Sequence, residues 1–250
     1  MRRPSEFFSR LKNYLRSGIS DVSTDYQLLA VQPEDLPGWH AASVAAQQHQ
    51  SFAPLIKDAR EGRPRLDFVV AAQAVKATGL NCPLVLEVGC GSAYYSEVLP
   101  LLAGPIRYAG IDYSASMTSL AHSTYPAISL LTADACSLPL AGDSCDVVMS
   151  GTSLMHIANY GKAIAETVRV AREWCIFHTV PVMARRSTTL LRKHAYGQPV
   201  VEIIFNQGEL EAEFGAHRLE IRSIFESLAY DVSHVVGEKT WTLTYLCRKE

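Results

Sequence analysis

The feature that most restricts the fold of this chain is a short apolar run that ends in a glycine-rich turn. Residues 84–91 read Leu-Val-Leu-Glu-Val-Gly-Cys-Gly, and a helix-like segment follows from Tyr94 to Leu102. Such a run is typical of a buried parallel strand. Glycines at its end let a ligand approach the backbone closely, and the following helix offers free N–H groups there. The pattern predicts a strand, turn and helix that bind a nucleotide-type ligand.

Three further apolar runs with acidic residues at their ends or starts follow this unit. The second run reaches Asp112, which lies 21 positions after Gly91, where a doubly wound fold places a carboxylate for ribose hydroxyls. A dinucleotide fingerprint would need a third glycine where Tyr94 stands, so hydride transfer is disfavoured. Alternation of strands with helices predicts a parallel, doubly wound sheet. The predicted strands lie near 84–89, 106–112, 128–132, 145–150 and 173–180, and two segments of period two at 219–225 and 240–247 predict a hairpin-like pair.

In these four segments the chain resembles the class I S-adenosylmethionine-dependent methyltransferases, over roughly residues 63–250. The matching motifs are 87–93, 110–114, 133–135 and 146–149. The resemblance implies a Rossmann-like, doubly wound, mostly parallel seven-stranded sheet with an antiparallel last strand. It also implies methyltransferase activity with S-adenosyl-L-methionine as the cofactor. One departure from the family is Ala93, where a third glycine is frequent.

Carried over by position, the resemblance implies a cofactor site. Gly89 and Gly91 would contact the methionine end, Asp112 the ribose, and Asp134 with the backbone N–H of Ala135 the adenine. Taken singly, each of these residues also has an ordinary structural role in turns and at strand ends, and the four units together favour the site. The full set of expected cofactor contacts is Glu87, Gly89, Cys90, Gly91, Asp112, Tyr113, Asp134, Ala135 and Ser150.

The acceptor is expected beyond the carboxyl ends of the strands. His178 at the end of the fifth strand and His156 after the fourth are the two predicted catalytic bases, and a packing role is the alternative for each. A basic insertion at 183–200 contains Arg185, Arg186, Arg192 and Lys193 and no acid. It is predicted to form a lid over an acceptor that is a small molecule, for example an anionic or glycan-like compound. The alternative is that the insertion is only a solvated face.

The segment after the fourth strand bears on the kind of atom that is methylated. Residues 150–153 read Ser-Gly-Thr-Ser, which favours an oxygen acceptor over a planar amine. The predicted function is therefore O-methylation of a small-molecule or glycan-like acceptor. The alternative is a non-catalytic, cofactor-binding regulatory or assembly subunit with the same fold.

Residues 1–62 are predicted to be a helical extension or cap, and residues 63–250 the methyltransferase domain. Residues 5–16 have the amphipathic pattern of a helix. Together with Arg2 and Arg3 before it, this segment carries five basic side chains. Such a helix either covers the enzyme's own cleft or contacts an anionic membrane surface. Two more helices are expected at 39–56 and 66–78.

Composition narrows the function classes further. The formal net charge of −2 provides no basic field for nucleic acid. The six cysteines include no Cys-x-x-Cys pair, and the histidines form no metal-type pair, so we expect reduced thiols and no metal. No apolar run reaches about 18 residues, and the N-terminus lacks the apolar core of a secretory signal. These features predict a cytoplasmic location.

Overall fold

The structure, a computed structural model, describes residues 23–29 and 36–250. The amphipathic helix expected at 5–16 lies outside these residues. The strands are β1 (Ser23–Leu28), β2 (Leu84–Val88), β3 (Arg107–Asp112), β4 (Ser129–Thr132), β5 (Cys145–Gly151), β6 (Ala171–Met183), β7 (Thr189–Ala195), β8 (Gln198–Asn206), β9 (Leu219–Glu226) and β10 (Trp241–Lys249). The α-helices are α1 (Ala42–Arg60), α2 (Leu66–Ala77), α3 (Tyr95–Ala103), α4 (Ala115–Thr124), α5 (Tyr160–Val170), α6 (Gln207–Ala216) and α7 (Ser233–Val236), with 3₁₀ turns at Pro37–His40 and Leu154–His156.

Seven of the strands form the sheet that the sequence predicts. Their order is β4-β3-β2-β5-β6-β10-β9. The strands from β4 to β6 are parallel, whereas β10 runs antiparallel to both β6 and β9. The doubly wound sheet with an antiparallel last strand is therefore confirmed. Because the central strands β2 and β5 are almost wholly buried, each contains a short apolar run, at 84–86 and at 147–149.

Helices cover both faces of this sheet. On one face, α5 and α6 contribute Ile164 and Phe214 to a cluster with Leu86 and Phe177. On the other face, α2 and α3 contribute Phe68 and Leu99 to a second buried cluster. This layered packing leaves the carboxyl ends of β2 to β5 free to build a site at one edge of the sheet.

A hairpin of β7 and β8 extends the sheet beside β6. β7 and β8 pair antiparallel through a two-residue turn at Tyr196 and Gly197, whose φ angles of 52° and 75° suit a hairpin. β8 continues alongside Val182 and Met183 of β6, and β1 pairs with the outer side of β7. The basic insertion predicted as a lid is thus mainly strand, and the hairpin was not predicted.

The N-terminal extension contacts the domain through its described part. Helix α1 and the 3₁₀ turn before it pack against α4. Both helices expected in this region, at 39–56 and 66–78, are present as α1 and α2. Within 23–29 and 36–250, no helix combines the length and the apolar character needed to cross a membrane.

Candidate functional site

A cavity of about 610 Å³ opens at the carboxyl edge of the sheet. Its volume lies within the range of roughly 300–1,000 Å³ that is typical of small-molecule sites. The ends of β2, β3 and β5 line it, as do the segment after β4, helix α1 and the β7–β8 hairpin. Segments far apart in the sequence therefore converge here because they meet at one edge of the sheet.

The glycine turn after β2 forms one wall. Gly89 has a φ of +74°, and a Cβ atom there would lie 2.3 Å from the Cβ of Ser153. Gly91 has a φ of +52°, and a Cβ atom there would lie 2.7 Å from Oε1 of Gln48. Both positions require glycine for conformation and for space. The Ser92 N–H donates to Gln48 Oε1 at 3.2 Å, so helix α1 holds the turn from outside.

Asp112 connects this turn to the end of β3. Its two carboxylate oxygens accept hydrogen bonds from the backbone N–H groups of Gly91 and Ser114, each at 2.8 Å. Burial raises the pKa of Asp112, and these two backbone hydrogen bonds oppose the rise. The carboxylate is thereby fixed at the cavity wall.

The residues after β3 and β4 form the next part of the wall. Tyr113 lines the cavity with 41% of its surface exposed. Asp134 and Ala135 line it as well, and Asp134 Oδ1 accepts the Cys136 N–H at 2.8 Å. The site presents two acids and an exposed aromatic ring along one side.

Three other predicted residues lie deeper in the wall. Glu87 is 1% exposed, accepts a hydrogen bond from the Tyr108 hydroxyl, and has its pKa raised by burial. Burial likewise raises the pKa of the Cys90 thiol, which keeps it protonated and unreactive. Ser150 does not line the cavity, because its hydroxyl faces Ser153 at 2.9 Å. Eight of the nine expected cofactor contacts therefore line one cavity, and Ser150 stands behind it.

His156 lines the cavity and is electrically neutral. Its Nδ1 lies 2.7 Å from the carbonyl oxygen of Val201, which only accepts, so Nδ1 carries the proton and Nε2 the lone pair. Burial, together with the charge of Lys193, lowers the pKa of His156 to about 3. The ring of Trp39 lies beside it, with 4.9 Å between the two ring centroids.

His178 lies inside the sheet and does not line the cavity. The sequence places it at the end of its strand, but β6 continues to Met183. Its Nε2 lies 2.8 Å from the Tyr95 hydroxyl and 3.0 Å from that of Thr179, and its Nδ1 lies 2.8 Å from that of Thr244. Burial lowers its pKa to about 4. This geometry favours the packing alternative for His178.

The four basic residues of the insertion do not converge. Alternation along β7 directs Lys193 into the cavity and Arg192 to the other side of the strand. Arg185 is largely exposed and lies 3.5 Å from Glu238. Burial lowers the pKa of Lys193 to about 7, and its Nζ forms an ion pair with Glu202.

Several lining residues were not predicted. Arg65 forms a buried, two-pronged ion pair with Asp67 at 2.7 and 2.5 Å and lies over the ring of Phe52. Phe52 in turn stacks on Tyr94 next to the glycine turn. At the hairpin, the Gly197 turn and the alternation on either side of it were the signals that could have placed Lys193 and Glu202 on one face. The other lining residues that the sequence did not single out include Trp39, Gln48, Glu202 and Tyr230.

Comparison with known proteins supports the fold and the motif assignment. The family model described as "Methyltransferase domain" matches residues 86–177. Two probable S-adenosylmethionine-dependent methyltransferases from Mycobacterium tuberculosis, from strains CDC 1551 and H37Rv, are 30% identical over 88 residues. The match covers 35% of this chain and 31% of each relative, so the chain spans about a third of the length of these relatives.

Solved structures resemble a larger part of the chain. The 1,6-didemethyltoxoflavin-N1-methyltransferase of Burkholderia thailandensis, solved with its substrate and S-adenosylhomocysteine, has a TM-score of 0.58 at 16% identity, covering 90% of this chain and 94% of that one. A TehB-like S-adenosylmethionine-dependent methyltransferase of Corynebacterium glutamicum has a TM-score of 0.56 at 17% identity, covering 84% and 98%. At these identities the likeness concerns the fold. Residues 86–177 therefore match a methyltransferase domain, and the described chain shares the fold of the S-adenosylmethionine-dependent methyltransferases that it resembles.

Proposed function

We propose that this chain is an S-adenosylmethionine-dependent methyltransferase that acts on an oxygen atom of a small molecule. One observation carries the proposal. A single cavity is lined both by the residues of the cofactor motifs and by His156 and the β7–β8 hairpin, which belong to no cofactor motif. Cofactor and acceptor would therefore meet in one enclosed space.

The cavity fits the cofactor in the nature of its groups. Gly89 and Gly91 keep side chains out of the turn, so a ligand can lie against the backbone. Asp112 offers a fixed carboxylate for the ribose hydroxyls. Asp134, with the backbone of Ala135, would hold the adenine. For the methionine carboxylate we propose Arg65, which lines the cavity and lies over Phe52, the ring that stacks on Tyr94 next to the turn.

When bound, the cofactor supplies a methyl group already activated on a sulfonium, so the protein contributes mainly alignment. His156 is the side chain placed to receive a proton, because its Nε2 carries the lone pair. With a pKa near 3 it stays neutral at physiological pH but is a weak base. It would accept a hydrogen bond from the acceptor hydroxyl and take the proton as methylation makes that oxygen acidic.

The type of acceptor is proposed from the same residues. Residues 150–153 supply hydroxyl groups and no amine-binding tetrad, which supports an oxygen acceptor. An anionic or glycan-like acceptor has less support, since Lys193 is already paired with Glu202 and Arg185 lies near Glu238. We therefore retain the small-molecule part of the hypothesis.

Binding of S-adenosylmethionine and S-adenosylhomocysteine tests the proposal by calorimetry and by thermal unfolding. Both ligands should raise the melting temperature, because they bind the folded state. Asp112→Asn keeps the shape and removes the charge, and should weaken binding by about 1–3 kcal/mol. Asp143→Asn, at an exposed ion pair with Lys249, is the matched control.

Turnover separates the enzyme from the non-catalytic alternative. Release of S-adenosylhomocysteine in the presence of hydroxylated small molecules supports the enzyme, whereas tight binding with no turnover of any acceptor favours a regulatory subunit. A melting shift with NAD and none with either methionine ligand would contradict the proposal.

A further inference from the structure

We infer that the acceptor is an uncharged, planar aromatic molecule with an amide-like edge, and that Lys193 and Glu202 hold this edge. The inference rests on the proposed function and names the substrate class of the same site. It concerns the part of the cavity formed by the β7–β8 hairpin. In the order of strands, this hairpin lies on the far side of β5 and β6 from β2 and its glycine turn.

The pair is buried and faces the cavity. The side chains of Lys193 and Glu202 are 3% and 1% exposed, and both residues line the cavity. The Tyr230 hydroxyl donates to Glu202, and the Lys193 Nζ lies 5.9 Å from the centre of the Tyr26 ring. Burying two charges costs several kcal/mol per ion and adds little net stability. A binding role explains why such a pair stands in a cavity wall.

The charges that line the cavity disfavour an anionic acceptor. The pair has no net charge, whether the shared proton lies on Lys193 or on Glu202. Among the described residues that line the cavity, the other fixed cation is Arg65, and it pairs with Asp67. The part of the cavity formed by the cofactor motifs adds the acidic side chains of Asp112 and Asp134. Beside the hairpin, an anionic acceptor would therefore find no uncompensated cationic side chain among the described lining residues to balance its desolvation.

Aromatic side chains give this part of the cavity flat walls. Trp39 contacts His156 and Tyr196, with ring centroids 4.9 and 6.3 Å apart, and all three residues line the cavity. Planar rings stack favourably on such surfaces. The Trp39 indole N–H is buried with no hydrogen-bond partner within the described chain, so a bound carbonyl oxygen could satisfy it.

The pair itself selects the edge of the ligand. A lysine ammonium donates hydrogen bonds and a carboxylate accepts them. A neighbouring carbonyl and N–H, as in a lactam, can engage both at once. A ligand with only one of the two groups engages only one member of the pair and gains one hydrogen bond fewer, which makes its binding weaker.

Three matched probes test the inference by calorimetry on protein saturated with S-adenosylhomocysteine. 2-Quinolone is planar and neutral and carries the lactam edge. N-methyl-2-quinolone lacks the donor, and 2-naphthoate is a planar anion. We expect 2-quinolone to bind at least tenfold more tightly than either of the others, the factor for about 1.4 kcal/mol.

A variant then assigns the recognition to the pair. Glu202→Gln removes the carboxylate that pairs with Lys193, so an anion can take that place beside Lys193 and the preference for 2-quinolone over 2-naphthoate should fall at least tenfold. Glu238→Gln, near Arg185 and outside the cavity lining, should leave the preference unchanged.

The wild-type comparison is decisive even if Glu202→Gln fails to fold. Equal binding of the two quinolones, tighter binding of 2-naphthoate, or no binding of 2-quinolone would overturn the inference. Because saturation with S-adenosylhomocysteine is measured first, these outcomes are distinct from a failure of the proposed function. If the proposed function were wrong, S-adenosylhomocysteine itself would not bind.

Discussion

Replacing His178 by asparagine should remove a specific part of the acid sensitivity of this domain. His178 is 1% exposed, and burial lowers its pKa from 6.5 to about 4. As the pH falls, the unfolded chain takes up a proton at this residue before the folded chain does. Its contribution to stability is therefore present above pH 6.5 and is lost as the pH falls towards 4. At pH 4 the loss amounts to about 3 kcal/mol relative to neutral pH.

Urea unfolding between pH 7.5 and 4 measures this contribution. His178→Asn loses hydrogen bonds to Tyr95 and Thr244, which lowers the free energy of unfolding by a similar amount at every pH. The difference between wild type and variant should therefore shrink by about 3 kcal/mol from neutral pH to pH 4. His122→Asn, at an exposed position on α4, is the control and should follow the wild-type dependence.

A constant difference between wild type and His178→Asn over this range would contradict burial as the cause of the acid sensitivity. It would mean that the imidazole has the same pKa in the folded and the unfolded chain, and hence that it is not desolvated inside the sheet. The packing role given to His178 would then be wrong.

Three further substitutions test other parts of the structure by urea unfolding. Ala93 has a φ of +57°, a backbone conformation that is strained for alanine and relaxed for glycine. Ala93→Gly should therefore leave the free energy of unfolding unchanged or raise it by up to about 1 kcal/mol. A loss of more than about 1 kcal/mol would show that the backbone of Ala93 is not strained. Tyr108→Phe removes the donor to buried Glu87 and should cost about 1–3 kcal/mol, while no cost would show that the hydrogen bond is absent. Arg65→Met leaves the buried Asp67 carboxylate without its cation and should lower the free energy of unfolding by about 3–5 kcal/mol. The double variant Arg65→Met with Asp67→Leu should recover much of this loss. Equal losses in the single and the double variant would show that the loss does not come from the unpaired charge.

The sequence was sufficient to predict the sheet because its signals are local. Each central strand contains a short apolar run, and the acids at the ends of β3 and β4 reach the cavity wall through the parallel topology alone. Asp112 and Asp134 are examples, since their positions depend only on where β3 and β4 end. The helices at α1 and α2 were predicted for the same reason.

The part of the cavity that we assign to the acceptor depends on contacts between distant parts of the chain. Lys193 belongs to a basic stretch of sequence, and its ion pair with Glu202 appears only once β7 and β8 form a hairpin. His178 has the sequence position of a strand end, but β6 runs five residues further and β10 brings Thr244 against it. Gln48 reaches the glycine turn from a helix 44 residues away. No local pattern contains these pairings.

The most direct test of the central claim is a crystal structure of the protein with S-adenosylhomocysteine. We expect the ligand to lie in the cavity, with the ribose hydroxyls at the Asp112 carboxylate and the adenine at Asp134 and Ala135. We also expect the sulfur to face the part of the cavity lined by His156. A ligand bound outside this cavity, or bound within it with its ribose away from Asp112, would show that the cofactor site is assigned wrongly.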